Sequence, residues 1–99
     1  MTRPGPYSTA FLRRVRAWPV SGWRHGQREA VVRSTLDILA GLASAADGRP
    51  RPPVPDAGLH ALSDQVEVLV ADALGAGAQA QDVDAVLQRA GTELGLRLT

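Results

Sequence analysis

The chain has 99 residues and a formal charge of +1, from 11 basic and 10 acidic side chains, and it contains no cysteine. That length accommodates one modest hydrophobic core. The missing cysteines exclude disulfides, thiolate nucleophiles and cysteine metal sites together. Every basic residue is arginine, and the alanine-, arginine- and glycine-rich composition points to a GC-rich, bacterial genome.

The near-neutral total hides an asymmetry. Residues 1–34 carry seven arginines against Glu29 alone, a balance of +6, whereas residues 35–99 carry four arginines against nine carboxylates, a balance of −5. The front also holds all four aromatic residues, Tyr7, Phe11, Trp18 and Trp23. Such a dipole has two readings: attraction between the halves, or a basic surface for an external partner.

Residues 1–7, with Pro4, Gly5 and Pro6, read as an irregular arm. Ser8 then caps a short helix that places Phe11, Leu12, Val15 and Trp18 on one face and ends at Pro19. Trp23 falls in a Ser-Gly connection. A second helix runs from near Gly26 to about Ala46, with Val31, Val32, Thr35, Ile38, Leu39, Leu42 and Ala46 at helical spacing. Residues 47–57 contain four prolines and read as a stiff, extended linker. The segment Arg49–Pro55 also fits a basic polyproline ligand, but the linker reading is preferred.

Asp56 caps the third helix, whose apolar stripe is Leu59, Leu62, Val66, Leu69, Ala73 and Leu74; Gly75 and Gly77 end it. A fourth helix spans Gln79 to Leu94, with Val83, Val86, Leu87, Ala90 and Leu94 on one face and Asp82 and Asp84 in its first turn. No strand pattern competes. The expected fold is all-α: a small antiparallel bundle of three main helices plus a short N-terminal one, with residues 8–99 forming one domain.

Catalytic chemistry finds few parts. No serine sits in a nucleophile-elbow context, and the two histidines, His25 and His60, lie far apart in sequence. His60 and Asp64 share a helical face, but a metal or acid–base site needs further groups. No catalytic, metal or cofactor-binding residue is assigned, and no cofactor is expected. Gly75 and Gly77 follow a helix rather than a strand, so a phosphate loop is not supported. A helix-turn-helix across residues 70–87 is disfavoured by a turn read as too long and by Asp82 and Asp84 at the would-be recognition helix. No apolar run reaches the roughly 20 residues of a membrane span. The arginine-rich opening has something of a transit peptide's composition, but a cytoplasmic protein is the expectation.

The reading is a non-catalytic interaction module with a protein partner or a second copy of itself, commonly a twofold dimer. Leu59, Leu62, Val66, Leu69 and Leu74 form its core or oligomer face. The alternative is nucleic-acid binding or transcription regulation through Arg13, Arg14, Arg16, Arg24 and Arg28, with Trp23 stacking on a base. An accessory subunit that needs a partner for its catalytic groups comes third.

Overall fold

The computed structural model describes residues 3–98; Met1 and Thr2 of the expected arm, and Thr99, lie outside the described residues. Five α-helices follow in order: α1 (Pro6–Arg16), α2 (Val20–Trp23), α3 (Arg28–Asp47), α4 (Leu62–Ala76) and α5 (Ala80–Leu94), with a 3-10 turn at Leu59–Ala61 before α4. The fold is a small all-α bundle, as the apolar periodicity implies. The 20-residue α3 is its axis, packed along α4 and α5, while α1 closes the groove between α5 and α4.

Several boundaries differ from the sequence reading, each for a local reason. α1 begins at Pro6, whose missing N–H and fixed φ suit a first helical position, so Ser8 lies inside the first turn rather than at its cap. Residues 20–23 form an extra helical turn that seats Trp23 in the core, where it is 3% exposed. Gly26 breaks the chain with a positive φ of 55°, which delays α3 to Arg28. Asp56 does not cap α4; its carboxylate accepts from the Gly58 N–H and from Arg33. Gly75 stays helical, and Gly77, with φ 109°, ends α4. The Leu96 N–H bonds back to the Gly91 carbonyl at 2.8 Å, and Leu96 and Leu98 pack against the core.

The core joins Phe11 and Val15 of α1 to Val32, Leu36, Leu39 and Ala43 of α3. Leu62, Val66, Val70, Ala73 and Leu74 of α4 and Val83, Leu87 and Ala90 of α5 complete it. Each large side chain fully buried there contributes roughly 1.5–3 kcal/mol. The buried face of α3 is therefore rotated from the predicted stripe: Leu36 and Ala43 are inside, while Ile38 is 47% exposed and Ala46 faces solvent. Packing on two neighbours at once centres the buried face between them. No described helix is long and apolar enough to cross a membrane.

Candidate interaction face

α4 is apolar on more than its core side. Along its outward face, Asp64, Val68, Ala71 and Gly75 recur at steps of four, three and four, and all four are exposed. Val68 is 63% exposed, the highest of the large exposed hydrophobics. Leu62, Val66 and Leu74 of the predicted face lie in the core, while Leu59 and Leu69 are half-buried at its margin.

Two apolar grooves flank this outward face. One, of about 330 Å³, runs between α4 and the proline segment and is lined by Ala40, Pro53, Val54, Val68 and Leu69. The other, of about 620 Å³, lies between α1 and α4 and is lined by Leu12, Val70, Ala71, Leu74 and Gly75.

The proline segment is a strap pinned to the bundle rather than a free linker. Arg51 is the clamp. Its guanidinium reaches Asp47 at 2.6 Å on the α3 side and Asp72 at 3.1 Å on α4. The Arg51 hydrogen bonds, and then the Arg49 N–H, hold the Asp47 carboxyl at about 2, below its ordinary 3.8. The same carboxylates, Asp47 first, raise the Arg51 guanidinium further above its ordinary range. At the other end, the Gln65 amide donates to the Pro55 carbonyl at 2.9 Å, and Arg33 joins Asp56 to Glu29 at 2.8 Å each. The Glu29 hydrogen bond leads in raising the Arg33 pKa.

The other acids of α4 are also engaged. Arg16 of α1 pairs with Asp64 at 3.0 Å and with Glu67. Asp64, Glu67 and Asp72, the three carboxylates of α4, are thus all matched by arginines from elsewhere in the chain. These pairs are half exposed, so each contributes about 0–1 kcal/mol of stability. Each acid of α4 thus has a cationic partner, but Arg16 is shared by Asp64 and Glu67 and Arg51 by Asp47 and Asp72, so two guanidiniums serve four carboxylates.

The arginines from Arg13 to Arg33 separate into three groups. Arg16 and Arg33 reach acids of the back half, realising part of the expected attraction. Arg28 stacks over the Trp18 ring at 4.2 Å and donates to the Gly22 carbonyl at 2.8 Å. Trp18 meets Trp23 edge-on, with ring centroids 4.9 Å apart. Trp23 is therefore inside the fold and offers no face for a base. Arg24 follows α2 and precedes Gly26, so it shares no helical face with Arg28. Arg13, Arg14 and Arg24 are exposed and make no ion pair among the described residues.

The remaining chemistry is sparse. His60 is in the 3-10 turn and forms no hydrogen bond with Asp64, which is committed to Arg16. No group of three or more metal-ligating side chains occurs among the described residues. The connection from α4 to α5 is only three residues, Gly77 to Gln79, so the expected objection to a helix-turn-helix on length does not hold. Its charge objection is reduced to Asp82, because Asp84 turns inward to Ser8.

The face missed in the sequence is the outward one on α4. Its signal was there, in Val68 standing outside the main stripe at seven residues from Gly75. Comparison with protein-family models, curated proteins and solved structures returned no match for this chain.

Proposed function

We propose that this chain is a non-catalytic helical interaction module, acting in the cytoplasm, that presents the outward face of α4 to a protein partner. One observation carries the reading: Val68 stands 63% exposed between two apolar grooves, on a helix whose own acids are each drawn aside by an arginine of the same chain. Contiguous exposed apolar surface marks a contact site. The test is a benzophenone side chain placed at position 68 in the producing cell. A discrete protein adduct there, absent with the same group at exposed Ala85 on α5, supports the reading. No adduct at position 68 overturns it.

A second reading rests on Arg13, Arg14 and Arg24, whose guanidiniums are free of ion pairs among the described residues and available to phosphate. Titration of labelled duplex and single-stranded nucleic acid at several salt concentrations decides it. Salt-sensitive binding lost on replacing these three arginines favours nucleic acid over protein.

A further inference from the structure

We propose that residues 49–55 form a preassembled polyproline ridge that docks, through the pairs Arg49–Pro50 and Pro52–Pro53, in an aromatic-lined groove of a partner protein with a carboxylate at its edge. This surface is separate from the outward face of α4 and goes beyond the reading above.

Prolines at positions 50, 52, 53 and 55 fix φ at about −65°, and each holds the residue before it extended. Residues 49–58 contain no helix, strand or turn, so the segment follows a polyproline helix of about three residues per turn. Such a helix has three edges. One faces the bundle: Arg51 and Val54, three residues apart, are half-buried, Arg51 between Asp47 and Asp72 and Val54 against the core. The other two, Arg49–Pro52–Pro55 and Pro50–Pro53, are exposed at every position.

That orientation selects a register. Aromatic-lined grooves bind prolines spaced three apart, taking each proline with the residue before it from two adjacent edges. The segment offers two such spacings, Pro50–Pro53 and Pro52–Pro55. In the second, the preceding residues are Arg51 and Val54, which the bundle covers. In the first they are Arg49 and Pro52, both exposed. Only the first presents two free edges.

The polar groups fit the same occupant. Arg51 is committed to Asp47 and Asp72, whereas the Arg49 guanidinium makes no ion pair among the described residues and suits a carboxylate of the partner. The carbonyls of Pro50 to Val54 accept no hydrogen bond from the described residues, so they are open to the indole N–H and phenol O–H donors of an aromatic groove. Grooves of about 330 Å³ on the α4 side and about 200 Å³ on the α3 side give the partner's walls room beside the ridge. Arg51 and the Gln65 bond to the Pro55 carbonyl already order the segment, so docking loses little conformational entropy.

The probes are an isolated SH3 domain and an isolated WW domain, each titrated into the isotope-labelled full chain to about 1 mM. With at least one of them, the amide resonances of Arg49, Arg51 and Val54 are expected to shift with a dissociation constant below about 1 mM. Pro50→Ala with Pro53→Ala, and separately Arg49→Glu, are expected to raise that constant at least about tenfold, with helical circular dichroism unchanged. Pro55→Ala is expected to change it by less than about threefold. No shift of these amides with either domain overturns the inference. So does binding that depends on Pro55 rather than Pro50, which reports the covered register, or binding indifferent to both. Shifts confined to Val68 and Ala71 also overturn it, while leaving the α4 reading in place.

Discussion

The Asp84 carboxylate on α5 accepts hydrogen bonds from both the backbone N–H and the hydroxyl of Ser8, 76 residues earlier in the first turn of α1. Gly5, at the N-cap of α1, has no side chain to satisfy that turn, and a Cβ at Gly5 would collide with the Asp84 carboxylate. α1 is therefore capped from across the bundle. Ser8 is wholly buried, so removing its acceptor strands a donor away from water. Asp84→Ala is expected to cost about 1–3 kcal/mol in urea unfolding, and Asp84→Asn less, since the amide keeps one acceptor oxygen. An Asp84→Ala variant as stable as the parent would contradict the capping role.

Tyr7 makes the second lock between these helices. Burial pushes its phenol above the ordinary value of 10. Its hydroxyl lies where a Cβ at Gly91 would sit, with Cζ 3.2 Å from the same point. Alanine normally favours a helix over glycine by about 1 kcal/mol. Here Gly91→Ala is expected to destabilise instead, by about 1–3 kcal/mol, because α1 must shift. In a Tyr7→Phe background the cost should fall, since the colliding oxygen is gone. Thermal unfolding of the four proteins in this double-mutant cycle measures the difference.

The Arg51 clamp predicts a titration. Folded Asp47 ionises at about 2 rather than 3.8, so its ionised form stabilises the fold. That contribution is complete above pH about 4 and lost as pH falls through about 2. The Asp47 carboxyl resonance should titrate near 2 in the intact protein and return toward 3.8 in Arg51→Gln. A midpoint near 3.8 in both would mean that Arg51 does not hold the strap.

Adjacent valines on either side of α4 separate core from surface. Val66 is fully buried and Val68 is 63% exposed. Val66→Asp is expected to unfold the chain by placing an unpaired carboxylate in the core. Val68→Asp is expected to change the stability of the isolated chain by no more than about 0.5 kcal/mol. Circular dichroism with urea titration distinguishes them, and similar behaviour of the two would show that α4 is rotated from its described orientation.

The basic front must be tested by side-chain replacement rather than by deletion. Removing residues 1–24 would strip Phe11, Val15 and Trp23 from the core, and truncating one buried Phe alone costs about 3–5 kcal/mol. Arg13→Ala, Arg14→Ala and Arg24→Ala together touch no ion pair among the described residues, so stability is expected to hold within about 0.5 kcal/mol. Any loss of ligand binding in that variant then reports the contact surface itself.

The all-α class, the four longer helices and most of the α4 and α5 core were legible in the sequence alone; the short α2 was not. Apolar spacing of three and four residues, closed by Gly77 and Gly95, is a local property of the chain, and local geometry obeys it. What each polar residue does was decided only by tertiary structure. Ser8 and Asp56 resemble helix caps in sequence, but Ser8 became a buried donor to Asp84, and Asp56 became an anchor for Arg33. Trp23, placed in a connection by its neighbours, was drawn into the core by one unforeseen turn. The outward face of α4 required the partners of Asp64, Glu67 and Asp72, which come from Arg16 and Arg51 at distances of 21 residues or more along the chain. Periodicity reports which side of a helix is apolar. Only the packed neighbours decide which apolar side remains uncovered and which charges are already satisfied, because burial and ion pairing are made between segments rather than within them.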